Sequence, residues 1–233
     1  MFSTSVLGQI KVENSVVTVL AAVKGLVSDS ERVLNAVESV SPDVIAVAIS
    51  KEELAALKEM EPTDEIELND IEIVYAAMLE KFGEVATPSP YLVSALNAAV
   101  SHDIPILPID MNDEVYTESY CRNVKTMEML KESRRAKGLL RKKNKFDFSS
   151  PEAFAISWDL MVNKKGFREL ETERETHMAS VIKALSRTYS NILAVIEVER
   201  ADAVVSLLSE KSCAECQELS DVIEIKNEMK ETV

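Results

Sequence analysis

Apolar residues along this chain recur with two different periods, and the changes between them mark the elements. The stretches "STSVLGQIKV" and "SVVTVLAAV" are rich in valine and isoleucine and meet at Glu13-Asn14, a turn pair, so they predict a β-hairpin. In "SDSERVLNAVESV", Val33, Val37 and Val40 fall on one helical face, and Ser28 with Glu31 has the spacing of a capping box. "PDVIAVAIS" is almost uninterrupted in its apolarity, the pattern of a strand covered on both faces. Ser50 with Glu53 makes a second capping box ahead of the helix "KEELAALKEM". Ser89-Pro90 opens the helix "YLVSALNAAVSH", and "IPILPID" follows as a short strand. Later, "ERETHMASVIKALSRTY" predicts a helix, "NILAVIEV" a strand, and "DVIEI" a last, edge strand.

Strand, helix, buried strand, helix is βαβ grammar and calls for a parallel sheet. The stretch from about 113 to 166 breaks the alternation. "EVYTESYCRNVKTMEMLKESRRAKGLL" reads as helical throughout, and Ser150-Pro151-Glu152 caps "AFAISWDLMV". The expectation is one α/β domain over 1–233, with a mixed, largely parallel sheet flanked by helices and a helical insertion at about 113–166.

Composition narrows the function classes. With 233 residues, 46% hydrophobic and 28% charged, the chain is long enough for one substantial core. The net charge of −14 opposes general binding to nucleic acid. The longest apolar run, near Val16–Val23, stops at Lys24, too short for a membrane span. The start "MFSTSVLGQIKVEN" lacks the layout of a secretory signal, and three cysteines fit a reducing compartment, so cytoplasmic residence is expected.

Several chemistries lack their residues. The five glycines fall in no phosphate-cradling frame, so no nucleotide cofactor is expected. His102 and His177 have no metal-ligand spacing; the first reads as a helix-end charge, the second as a core-edge residue. Cys213 and Cys216 form a single C-x-x-C, a weak metal or redox candidate, and Cys121 reads as buried and inert. No other metal or cofactor is expected.

Charge is unevenly placed. The stretch from Lys131 to Lys145 holds eight basic residues (Lys131, Arg134, Arg135, Lys137, Arg141, Lys142, Lys143 and Lys145) and one acid. It reads either as a solvated helix face or as a contact for an acidic partner, nucleic acid or anionic lipid, though without the interleaved aromatics that stack on single-stranded bases. At the end of "NILAVIEV" stand Glu197, Glu199 and Arg200, where a strand gives way to a helix. In open α/β sheets that is where ligands usually bind.

The order of these segments resembles the TraB/PrgY/GumN family, related in fold to the Tiki proteases and the erythromycin-esterase/ChaN-like proteins. The likeness covers most of Val16 to Leu208. "VVTVLAAVKGLVSDSERVLNAVESVSPDVIAVAIS" is similar to the family's opening, "LVSALNAAVSHDIPILPIDMND" to its middle helix and strand, and "ERETHMASVIKAL" with "NILAVIEVER" to its E-R-D-x-x-M helix and closing strand. The resemblance implies a divalent metal and hydrolysis of peptide or related bonds. Its polar set would comprise two glycine-x-x-histidine turns, an acid after the buried strand, another before the middle helix, and an arginine after the middle strand.

The chain departs at each of these positions. Its first turn reads Ala21-Ala22-Val23-Lys24; Ala48 stands for the strand-end acid; "TPSPYL" lacks the helix-leading acid; and Met111 follows "PID". At the second turn Glu197 replaces glycine and Arg200 replaces histidine. Neither lysine at neutral pH nor arginine ligates a metal. The expectation is a non-catalytic TraB-like domain that binds or scaffolds a protein partner or itself, as a homodimer. Lys24, Asp110, Glu197, Glu199 and Arg200 would line the former site, with Lys24 and Arg200 on one rim and the acids pairing with them. Two alternatives stay open: a metal-dependent hydrolase using Asp110, Asp113, Glu197 and Glu199, and a regulatory domain holding a small anion on Lys24 and Arg200.

Overall fold

The computed structural model of the chain describes residues 6–60, 66–132, 138–139 and 145–209. Five strands form one sheet: β1 (Val6–Val12), β2 (Ser15–Ala22), β3 (Val44–Val47), β4 (Ile106–Pro108) and β5 (Asn191–Glu197). Their order is β1-β2-β5-β3-β4. The expected hairpin pairs β1 antiparallel to β2, and β2, β5, β3 and β4 run parallel. The fold is therefore α/β with a mixed, mostly parallel sheet.

Alternation within the strands divides the core in two. Val17, Val19 and Ala21 of β2, with Ile192, Ala194 and Ile196 of β5, face one layer of helices. Leu20 and Ala22, with Leu193 and Val195, face the other. All are buried, which explains why these runs are apolar at nearly every position. The second layer is α1 (Asp29–Val40) and α4 (Pro90–His102), which approach closely over Ala36, Ala95, Ala98 and Ala99, with Leu54 of α2 (Lys51–Glu59) beside them. The first layer holds α3 (Asp70–Leu79) and three later helices: α7 (Pro151–Val162), α8 (Gly166–Leu185) and α9 (Val198–Ser209). Fully burying each large aliphatic side chain here contributes about 1.5–3 kcal/mol.

The two ends of the sheet are built differently. At the amino ends, Asp43 accepts from the backbone N–H groups of Ser190 and Asn191 at 3.0 and 2.9 Å. The Asn191 amide donates to the Val40 carbonyl at 2.7 Å, and the Ser15 hydroxyl to the Ser186 carbonyl at 2.5 Å. These bonds knit that end shut. The carboxyl ends open into a cleft.

Local signals in the sequence fare unequally. The Ser50–Glu53 capping box forms as expected. Ser28 makes no side-chain cap; instead the buried Asp29 accepts from the Val23 N–H at 2.5 Å and pairs with Arg32 at 2.8 Å. A carboxylate there does more than a hydroxyl, because it fixes the strand-to-helix turn as well as the helix start. The expected long helix after Asp113 is two, α5 (Asp113–Asn123) and α6 (Thr126–Glu132). Between them Val124 turns extended and packs with Phe167 and Leu170. Cys121, expected buried, is exposed on α5. The described part of 113–166 is mostly helical, but α7 sends Phe154, Ala155, Trp158 and Val162 into the main core. The "DVIEI" segment lies outside the described residues. Among the described residues no helix is long and apolar enough to cross a membrane.

Candidate functional site

The cleft at the carboxyl ends of the strands has a volume of about 770 Å³. Chain order brings its polar residues together. Lys24 lies two residues past β2, Asp110 two past β4, and Glu197 ends β5. α9 begins at Val198 without a connecting loop, so Glu199 and Arg200 occupy its first turn. β2 and β5 are parallel neighbours with Ala22 opposite Glu197, which puts Lys24 and Arg200 on the same rim. Lys24, Asp110, Glu197, Glu199 and Arg200 all line the cleft.

Of the expected pairings between strand-end acids and these two cations, the one between Glu199 and Arg200 forms. Lys24 does not meet the strand-end acids; it is half exposed and pairs with Glu72 of α3 at 3.2 Å. Arg200 is buried and pairs with Glu171 of α8 and, at 3.3 Å, with Glu199. Glu171 also holds Arg174 at 2.9 Å. Arg174 in turn grips Asp110, through Nη2 and through Nε at 3.1 Å. The result is an unbroken chain of carboxylate and guanidinium: Asp110, Arg174, Glu171, Arg200, Glu199. Burial alone would raise the Glu171 carboxyl, but the two guanidiniums outweigh it and hold the group below the usual carboxylate range. Against burial, Glu171 and Asp110 hold Arg174 above its usual range, and Glu171, Glu197 and Glu199 do the same for Arg200.

Beside this chain lies a set of polar groups that is not satisfied. Glu197 accepts from the Tyr91 hydroxyl at 3.3 Å through Oε1, while its Oε2 has no hydrogen-bond partner among the described residues. Among the described residues, Oε2 of Glu199, the Tyr75 hydroxyl and Nε of Arg200 also lack one. The Tyr75 ring is fixed by Phe154 and Trp158, with centroids at 5.5 and 5.4 Å. Burial, then the charges of Glu199 and Glu197, push its hydroxyl well above the ordinary tyrosine range. Burial also pushes the Glu199 carboxyl up to about 7, with Arg200 opposing and Glu197 reinforcing the shift. Each enclosed polar group without a partner costs about 1–3 kcal/mol. An arrangement that keeps several together is not explained by stability.

Sequence reasoning named the residues at strand ends and missed those that helices bring in. Arg174 and Glu171 were legible in principle. On α8 the buried positions Phe167, Leu170, Met178 and Ile182 form a stripe, and Arg174 falls within it. A cation inside an apolar stripe needs a buried acid, and Glu171 sits one turn earlier. Tyr75 belongs to α3, which is started by an Asn69–Glu72 capping box in "NDIE".

The other candidates lie elsewhere. His102 is exposed at the end of α4, and His177 is half-buried in mid-α8. Cys213 and Cys216 lie outside the described residues. So do Arg134, Arg135, Lys137, Arg141, Lys142 and Lys143; Lys131 falls in α6, and Lys145 is exposed. Among the described residues no three histidine, cysteine, aspartate or glutamate side chains are grouped to hold a metal ion. Comparison of the chain with protein-family models and with curated proteins gives no match.

Proposed function

We propose that the chain is a non-catalytic domain of TraB-like plan that binds a ligand in its strand-end cleft. The observation that carries this reading is the position of Arg200. It stands buried at the end of β5, where the resemblance calls for a metal-ligating histidine, and it is tied to Glu171 and Glu199. A guanidinium keeps its proton in proteins and has no lone pair to offer a metal. Its neighbours are already committed, since Asp110 and Glu171 are held by Arg174. The surroundings also disfavour the small-anion alternative. Among the described lining residues, Glu53, Glu67, Glu72, Asp110, Asp113, Asp159, Glu197 and Glu199 face only Lys24, Arg174 and Arg200 as cations.

Metal analysis tests the reading. Full-length protein purified without chelator, with Cys213→Ser and Cys216→Ser removing the C-x-x-C, is expected to carry no stoichiometric zinc, manganese or iron. One firmly held ion per chain, lost in Glu197→Gln, would overturn it. The same proposal includes cytoplasmic residence and self-association; sedimentation velocity of the full chain reads the latter, a dimer supporting it and a strict monomer removing it.

A further inference from the structure

The sheet has two edges, β1 and β4, and among the described residues no strand pairs with the outer side of either. β4 is three residues long and ends in Pro108, which has no N–H to give a ladder. β1 has seven residues, and α9 packs against it as well as against β2 and β5. Val12 faces Ser15 across the two-residue turn, so Gln9 and Lys11 turn their backbone N–H and C=O groups away from β2, towards the open side. Such a row is a template for another strand.

The path of the chain singles out this edge. β2 reaches β3 through the second helix layer, moving away from β1, and β4 reaches β5 through the first layer, moving towards β1. The two crossovers have one hand, and parallel crossovers are right-handed in about 98% of cases. α9 leaves β5 through the first layer. A following strand parallel to β5 therefore falls on the side of β1, and β1 already fills the place beside β2. α9 starts at the carboxyl ends of the strands and so runs back towards their amino ends, where β1 turns at Val12. Residues 210–220 exceed the about 2–6 that usually join a helix to the next strand, so reach is no obstacle. The strand-like run "DVIEI", 221–225, comes next.

Its alternation fits the place. Ile10 and Val12 turn into the core of the first layer, while Gln9 and Lys11 are exposed on the other face. A neighbour of β1 therefore needs large apolar residues on the first face and tolerates charge on the second. Ile223 and Ile225 share one face, and Glu224 lies on the other with Val222. With Ile223 opposite Val12, an antiparallel register sets Ile225 opposite Ile10 and Glu224 opposite Lys11, an opposite-charge pair. A bulge between Val6 and Gln9 confines regular pairing of β1 to 9–12, so a short partner suffices.

We propose that residues 221–225 dock on the outer edge of β1 of their own chain, as a further strand antiparallel to β1 and beneath α9. The inference is independent of what the cleft binds.

Disulfide trapping tests it in the full chain carrying Cys121→Ser, Cys213→Ser and Cys216→Ser. Lys11→Cys with Glu224→Cys, oxidised in dilute solution, should give an intramolecular disulfide. Lys11→Cys with Ile225→Cys places the two thiols on opposite faces and should not bond. Equal bonding of both pairs, or of neither, would overturn the proposal. A disulfide formed only between chains would put a second copy's strand on this edge, and would overturn it too. Amide hydrogen exchange of the natural chain gives an independent reading. The Gln9 and Lys11 N–H groups should be protected, and Glu224→Pro, which takes a donor from the added ladder, should remove that protection and leave β2 and β5 protected. Free exchange at Gln9 and Lys11 in the natural chain, or protection indifferent to Glu224→Pro, would leave the edge open and the proposal wrong.

Discussion

Two walls of one cleft handle buried charge in opposite ways. On the side of α8, Asp110, Arg174, Glu171 and Arg200 close on one another, and Arg174 and Glu171 meet through two nitrogen–oxygen contacts, at 2.9 and 3.1 Å. On the side of α3 and the end of β5, Tyr75, Glu197 and Glu199 each keep an enclosed oxygen with no partner among the described residues. The protonation behaviour follows. Glu171, between two guanidiniums, is held below the usual range, whereas Glu199 is pushed up to about 7. The first wall is what a fold does with charges it must bury. The second leaves enclosed oxygens that, on the function proposed above, a bound ligand completes.

The largest expected effect comes from breaking the closed wall. Arg200→Ala leaves Glu171 with Arg174 alone, strands Glu199 as a buried acid and removes an ion pair that ties α9 to α8. The cost should be about 3–5 kcal/mol in urea denaturation at pH 7, the range for a buried ion pair deprived of one partner. A loss under about 1 kcal/mol, the scale of an exposed pair, would show that the chain of charges is not what holds this wall.

A smaller effect, of opposite pH dependence on the two walls, sharpens the contrast. The Glu199 carboxyl is raised in the folded state above an unfolded value of about 4.3. Its contribution is fully present below the unfolded pKa and is lost as pH rises through about 7. Glu171 is lowered, so its contribution is present above its unfolded pKa and is lost as pH falls through the folded value. Glu199→Gln keeps the group neutral, and should therefore gain about 1–3 kcal/mol over the natural chain at pH 8 and almost nothing at pH 4. Stability curves measured by denaturant at both pH values check this. A variant less stable at pH 8 would mean that the ionised Glu199 is a net asset to Arg200.

Much of the fold could be read from the chain because its central strands are covered on both faces. β2, β3 and β5 must be apolar at almost every position, and Val44–Val47 or Ile192–Ile196 allow little else. The hairpin turn and the Ser50 cap act over two to four residues and are equally legible. α3 escaped notice because "IEIVYAAML" is apolar on most sides and so shows no amphipathic stripe. The break at Val124 answers to Phe167 and Leu170, more than forty positions away, and no local signal marks it. The cleft divides the same way. βα order alone places Lys24, Asp110 and Glu197 at strand ends, so their convergence follows once the sheet is known to be parallel. Which acid meets which cation depends on packing between layers, as with Asp110 and Arg174, 64 residues apart.

The asymmetry between the walls is most directly tested by carbon-detected NMR titration of the glutamate side-chain carboxyls, with Glu171→Gln and Glu199→Gln for assignment. Glu199 should titrate near pH 7 and Glu171 below the ordinary carboxylate range. If both titrate together in the ordinary range, at about 4–5, the two walls are alike and the account of the cleft fails.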